Sequence, residues 1–177
     1  HKEFTDTDMA VRTNWLVRAG LKDPALLAPI YLIRKGNQVV GHVSRFVEGN
    51  SLDEVIYERN ISPAERLRLA QDLARAVLEV HCTGISHGDL SIGNILIDPG
   101  GGLYLIDFDN FCKRPLPLPR MQGTLRYTAP TVHRGMPPQK HTDIFSMAVL
   151  LHEILLGRHP FIPHDVDSDK VSQIESM

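Results

Sequence analysis

Cysteine is scarce in this sequence, and its scarcity removes one way of holding a fold together. Cys82 and Cys112 are the two cysteines among 177 residues. A disulfide framework is therefore excluded, because such frameworks need several cysteines in a short chain. So few cysteines are typical of proteins in a reducing compartment, and we expect a cytoplasmic location.

An excess of charge of one sign is also absent. Lys and Arg total 19 against 21 for Asp and Glu, which leaves a net charge of -2 at pH 7. A chain with this balance has no overall field that attracts nucleic acid or an anionic membrane. The strongest apolar run, residues 147–151, is far shorter than the ~20 residues of a membrane span. We expect no nucleic-acid partner and no membrane partner.

Hydrophobic residues make up 42% of the chain, which is enough for one core. Their spacing predicts both helices and short strands, and hence an α+β fold. A capping box at residues 62–65 and the glycine at 84 bound the clearest helix. Helices are predicted over residues 5–19, after a cap at Ser51, over residues 63–83 and, after a cap at Thr142, over residues 143–156; β-hairpins are predicted over residues 30–46 and 95–106.

Two polar loops lie at one end of the second predicted hairpin. Residues 87–94 (HGDLSIGN) precede its first strand, and residues 107–109 (DFD) follow its second. If the strands pair, Asn94 and Asp107 lie side by side. An amide and a carboxylate oxygen suit Mg²⁺ held jointly with substrate phosphates, and Asp89 could accept a proton from an attacking hydroxyl. This layout predicts phosphoryl transfer; loop capping by Asx turns is the structural alternative.

Four motifs in order resemble the C-terminal lobe of the protein kinase superfamily. They are residues 87–94, residues 107–109, residues 123–130 (GTLRYTAP), and residues 143–146 (DIFS) with 157–161 (GRHPF). The resemblance implies a bilobal protein-kinase-like fold with a partial β-rich N-lobe over residues 1–46, a hinge over 47–50 and a mostly helical C-lobe over 51–177. Within the C-lobe it implies a catalytic loop over 87–94, a metal loop over 107–109 and an activation segment over 107–130. We expect a piece of a longer protein, without the first strands and the last helices of such a domain.

The resemblance also implies roles for single residues. Asp89 is the expected catalytic base, Asn94 and Asp107 the Mg²⁺ ligands, and Thr124 a neighbour of the base as in serine/threonine-type members. The expected ATP site has Ser44 at the gatekeeper position, Arg45, Phe46 and Val47 along the hinge, and Leu96 under the adenine. A Ser44 that faces solvent on an edge strand is the alternative for that position. His87 is expected to be a buried residue that braces the loop.

The sequence departs from the kinase pattern at several positions. Gly88 stands where an arginine usually precedes the base, Ser91 where a lysine is usual, and Asp109 where the metal loop has glycine. A glycine-rich phosphate loop and a lysine in Val-Ala-Ile-Lys context are not found, and residues 5–19 contain no glutamate. Gly88 leaves a phosphate on the activation segment without its usual arginine partner.

A serine/threonine protein kinase that uses ATP and Mg²⁺ is the predicted function, with a protein as substrate. A pseudokinase that binds or scaffolds without phosphate transfer is the alternative. A small-molecule kinase of the aminoglycoside type shares His-Gly-Asp, although residues 123–130 argue against it. Residues 107–111 with Ser91 resemble bacterial stress-associated kinase-like proteins, which implies a phosphatase and a von Willebrand A-type partner. The spacing of the nine histidines predicts no zinc site.

Overall fold

The computed structural model describes residues 2–3, 7–119 and 123–162. In this part of the chain, four α-helices and six β-strands follow one another with short 3₁₀ turns between them. Their bounds are β1 Lys2–Glu3, α1 Thr7–Ala19, β2 Pro29–Lys35, β3 Gln38–Ser44, β4 Asn50–Ser51, α2 Pro63–Cys82, β5 Ile95–Ile97, β6 Leu103–Leu105, α3 Pro130–His133 and α4 Lys140–Leu156.

The first antiparallel sheet has the strand order β1–β3–β2, and α1 packs against it. The predicted hairpin over residues 30–46 is confirmed, but its second strand ends two residues early, at Ser44. Ser44 pairs with Pro29, the first residue of β2. Proline has no N–H to donate, so the ladder stops there and residues 45–49 leave the sheet. The predicted start of α1 at residue 5 lies outside the described residues.

The second antiparallel sheet has the order β4–β5–β6, and the predicted hairpin over residues 95–106 forms its β5–β6 part. The short helix predicted after Ser51 is present and begins at Leu52, while Ser51 itself lies in β4 and pairs with Leu96 of β5. The helix continues as a π-helical turn over Glu54–Glu58. The linker before β4 lies tightly on β5, because a Cβ at Gly49 would come 2.6 Å from the carbonyl oxygen of Ile97.

Helices α2 and α4 pack against each other and form the centre of the core. The cap of α2 is as predicted, since Oγ of Ser62 accepts the N–H of Glu65 at 3.2 Å. Helix α4 begins earlier than predicted, with Gln139 as its N-cap. Thr142 lies inside the first turn, where its Oγ1 accepts the N–H of Gln139 at 2.9 Å. Gly157, at φ +67°, ends α4 as expected.

None of the helices in the described ranges is long and apolar enough to cross a bilayer.

The Ser62 cap gives a stability test of α2. Replacing Ser62 by Ala removes the acceptor for the N–H of Glu65 and should lower the free energy of unfolding by about 1 kcal/mol, measured by urea denaturation. Ser62→Asp, which restores an acceptor, is the matched control and should unfold near the wild-type midpoint. Equal midpoints for the Ala and Asp variants would contradict this account of the cap.

Candidate active site

The carboxylate of Asp143 binds the first two residues of the 87–94 loop. Asp143 lies in the first turn of α4 and is 2% exposed. Its Oδ2 accepts the backbone N–H of His87 at 2.7 Å, and its Oδ1 accepts that of Gly88 at 3.0 Å. Oδ2 also lies 2.9 Å from Nε2 of His81 on α2. The loop is therefore fixed to the two central helices at its first two residues.

His87 links this loop to the strand that leads into the DFD motif. Its side chain is buried, and Nε2 donates to the carbonyl oxygen of Ile106 at 3.1 Å. Because a carbonyl can only accept, the proton is on Nε2, and Nδ1 accepts the N–H of Asp89 at 3.3 Å. The ring of Phe108 lies 4.8 Å from that of His87, centroid to centroid. The prediction of a buried bracing histidine is confirmed.

Thr124 and Asn110 contact the carboxylate of Asp89. The backbone N–H and the hydroxyl of Thr124 both donate to Oδ1 of Asp89 at 2.9 Å. The side-chain amide of Asn110 donates to Oδ2 at 3.0 Å. The structure thus brings Thr124 to Asp89, as the sequence predicts.

Asn94 links the Asp89 loop to the residue that precedes Asp107. The amide nitrogen of Asn94 donates to the carbonyl oxygen of Asp89 at 2.9 Å, and the carbonyl oxygen of Asn94 accepts the N–H of Ile106 at 3.0 Å. Asn94 therefore lies opposite Ile106, the residue before Asp107, and the pairing of Asn94 with Asp107 stays a prediction. Asp107 is the one described non-glycine residue with positive φ, at 56°. Clusters of three or more His, Cys, Asp or Glu side chains that could hold a metal are not found in the described residues.

The predicted hinge residues form a second group. Ser44 is half-buried at the end of β3, while Phe46 is 86% exposed and Val47 is half-buried. The guanidinium of Arg45 donates to the carbonyl oxygen of Pro24 and lies 6.0 Å from the centroid of the Tyr104 ring. Leu96 is half-buried in β5, between Ser51 of β4 and Tyr104 of β6. Strand β4 thus connects the hinge group to Leu96.

Sequence reasoning missed Arg12 of α1. This arginine is 3% exposed, and its Nη2 donates to the carbonyl oxygen of Asp109 at 2.8 Å, while Nη1 donates to that of Leu118 at 3.1 Å. A signal was present, because Arg12 precedes Trp15 and Leu16 by three and four residues and therefore shares their face of the helix. It also missed Asn110, for which local patterning gives no signal.

Two tyrosines and a thiol near the site are held neutral. Burial, reinforced by the carboxylate of Glu153, raises the pKa of Tyr127 far above its usual value. The Tyr127 hydroxyl donates to Oε2 of Glu153 at 2.8 Å, and Tyr57 donates to the other oxygen.

Burial raises the pKa of Cys112 to about 11, although the positive charge of Arg12 opposes the shift. Cys112 is therefore a packing residue with a protonated thiol at neutral pH.

With this geometry in place, comparison with known proteins is decisive for the family. Residues 2–177 match the protein kinase domain family. This chain belongs to it. Serine/threonine-protein kinase PkaB from Streptomyces coelicolor is similar, with 29% identity over 155 residues, which are 80% of this chain and 37% of that protein. Serine/threonine-protein kinase AtPK1/AtPK6 from Arabidopsis thaliana is 34% identical over 121 residues, 66% of this chain and 26% of that protein.

The fold comparison agrees. The kinase PK-1 of Cydia pomonella granulovirus superposes with a TM-score of 0.76 at 20% identity, covering the whole of this chain and 64% of that one. The predicted kinase family and the protein-kinase-like α+β fold are confirmed. The chain spans 37% and 26% of the lengths of these two curated kinases.

Asp143 gives a test of how the 87–94 loop is held. Asp143→Ala leaves the N–H groups of His87 and Gly88 buried without an acceptor, so we expect a loss of about 3 kcal/mol in the free energy of unfolding, measured in urea. Asp72→Ala is the matched control, because its partners Arg68 and Arg75 form exposed ion pairs worth about 0.5 kcal/mol. Equal losses for the two variants would show that Asp143 does not support the loop.

Proposed function

We propose that this kinase domain transfers the γ-phosphate of ATP to a serine or threonine hydroxyl of a protein. The observation that carries the proposal is the position of the Asp89 carboxylate. Thr124 fixes it from one side, Asn94 donates to the backbone carbonyl of Asp89, and Asp107 follows Ile106, whose N–H donates to Asn94. A base next to paired oxygen ligands is the arrangement that phosphoryl transfer requires.

Each of the polar residues has a separate task in this proposal. Asp89 accepts the proton of the attacking hydroxyl as the new bond to phosphorus forms. Asn94 uses its amide nitrogen for the carbonyl of Asp89, so its Oδ1 is the atom suited to a cation. Asn94 and Asp107 together would hold Mg²⁺, a donor set that fits this hard ion. Magnesium, when bound with ATP, supplies positive charge that offsets the negative charge of the phosphates.

A protein substrate is supported by a hollow beside Thr124. It encloses about 230 Å³ and is lined by Gly123, Leu125, Thr128, Val132 and His133. Leu125 and Val132 give it an apolar wall, which suits a side chain of a bound polypeptide close to Asp89. A small-molecule acceptor would make fewer contacts with this hollow than a polypeptide would.

The nucleotide would lie between the hinge and Leu96. Ser44, Arg45, Phe46 and Val47 would line its outer edge, with backbone groups of Arg45 and Val47 facing the adenine, and Leu96 would form the apolar floor. In this arrangement residues 1–46 belong to the N-lobe, 47–50 to the hinge and 51–177 to the C-lobe. Ser44 is small, so space would remain behind the adenine.

A pseudokinase is the second candidate, and Arg12 is the observation that favours it. The inner face of α1 carries this buried arginine, and a glutamate that could pair with an ATP-binding lysine is not found in the described helix. A domain of this kind would keep the fold and bind partners without transferring phosphate. The resemblance to stress-associated kinases suggests a phosphatase and a von Willebrand A-type protein as partners in either case.

Substitution of the base decides between the two candidates. In the full-length protein, Asp89→Asn should lower phosphate transfer to a protein substrate by about a hundredfold or more, because the amide cannot accept the proton. Nucleotide affinity, measured by calorimetry, should change little. Asp72→Asn, on the exposed face of α2, is the control and should leave transfer unchanged. Transfer at the wild-type rate by the Asp89 variant would contradict the proposal, and a wild-type protein that binds ATP without transfer would favour the pseudokinase.

The hinge placement is tested with an ATP-competitive compound that carries a bulky aromatic extension. Ser44→Phe should weaken its binding by about 30-fold, or ~2 kcal/mol, through direct overlap, while ATP binds as before. Val43→Phe is the matched control, because neighbouring strand residues face opposite sides and Val43 is exposed. Equal affinity of the compound for both variants would show that the nucleotide lies elsewhere.

A further inference from the structure

Asn110 directly follows the DFD motif, and its side chain reaches the carboxylate of Asp89. Its Nδ2 donates to Oδ2 of Asp89 at 3.0 Å. We propose that Asn110 is a positioning residue, which fixes the Asp89 carboxylate so that Oδ2 receives the hydroxyl of the substrate. This inference rests on the proposed phosphate transfer and names a residue that supports it.

The donors around Asp89 decide which of its oxygens is open. A carboxylate oxygen accepts about two hydrogen bonds. Oδ1 already accepts two, from the backbone N–H and the hydroxyl of Thr124. Oδ2 accepts one, from Asn110, so one acceptor position is left on that oxygen. An incoming hydroxyl is therefore directed to Oδ2, and Asn110 sets the angle at which that position points.

The backbone of Asn110 is fixed against Gly88, next to Asp89. Gly88 has φ +80°, and a Cβ built on it would lie 2.2 Å from the carbonyl oxygen of Asn110. The thiol of Cys112 lies 3.6 Å from the same oxygen, within range of a weak hydrogen bond. Any side chain at position 88 would push Asn110 away from Asp89. The glycine at 88, where kinases usually have arginine, is therefore required for the contact between Asn110 and Asp89.

Arg12 holds the residue before Asn110. Its Nη2 donates to the carbonyl oxygen of Asp109 at 2.8 Å, and its Nη1 to that of Leu118 at 3.1 Å. Arg12 is buried, so water does not compete for these carbonyls. Because the guanidinium is planar and rigid, it fixes the positions of the two carbonyl groups relative to each other. Asn110 is therefore held from α1 through Asp109 and from the 87–94 loop through Gly88.

The test replaces the donor without changing its size. Asn110→Leu is nearly isosteric and cannot donate, so kcat should fall by about tenfold or more while the KM for ATP stays within about twofold. Asn60→Leu, at an exposed position before α2, is the matched control and should keep the wild-type kcat. An unchanged kcat in Asn110→Leu would overturn the proposal.

A pH profile separates positioning from a general structural role. Asn110→Asp places a second carboxylate against Asp89, and the repulsion between the two raises the pH at which the last proton leaves the pair. When protonated, the new side chain is a donor again, so the activity of Asn110→Asp relative to wild type should rise as the pH falls from about 8 to about 5. A ratio that is constant with pH would overturn the proposal. This variant also serves if Asn110→Leu does not fold.

Stability measurements test the contact without any phosphate transfer. The urea midpoints of Asn110→Leu, Asp89→Ala and the double variant form a cycle, in which the double variant should lose less than the sum of the single losses. Additive losses would overturn the role of Asn110, even in an active enzyme. Coupled losses in a wild-type protein that transfers no phosphate would uphold the contact and reject the proposed function.

Discussion

The buried carboxylate of Asp143 is the contact on which the geometry of the site depends. It satisfies the N–H groups of His87 and Gly88, which have no strand or helix of their own to bond with. Its position is rigid because it belongs to the first turn of α4, where the helix dipole favours a negative charge. The loop that carries Asp89 is therefore placed by the packing of the central helices, and it needs little regular structure of its own.

The residues that depart from the common kinase pattern lie in one chain of contacts. Gly88 leaves room for the carbonyl of Asn110, and Asn110 then reaches the carboxylate of Asp89. Arg12, on a helix that contains no glutamate in its described residues, binds the carbonyl groups of Asp109 and Leu118. A permanent guanidinium on backbone carbonyls can hold this segment in place without a phosphate, in contrast to the usual pairing of arginine with a phosphorylated residue.

Local rules predicted the elements that local interactions determine. The helix after Ser62 and the hairpin over residues 95–106 follow from a cap, a glycine-rich turn and periodic apolar residues, and both are present. The pairing of Ser51 with Leu96 was not predicted, because the two residues are 45 positions apart in the numbering and strand pairing at that distance leaves no local pattern. Arg12 was missed because arginine is rarely buried, so its place on an apolar face was not given weight.

The backbone conformation of Asp107 is set by contacts between the 87–94 loop and the residues on either side of Asp107. The peptide groups of Ile106 are fixed at both ends, since its N–H donates to Asn94 and its carbonyl accepts from His87. Phe108 must then turn inward to pack on the His87 ring. The chain changes direction at the residue between them, which takes φ 56°. Aspartate tolerates this left-handed conformation better than most residues, at a cost of roughly 1 kcal/mol, which the flanking contacts offset. Asp107 is exposed, so the constraints that impose the strain leave its carboxylate open to solvent.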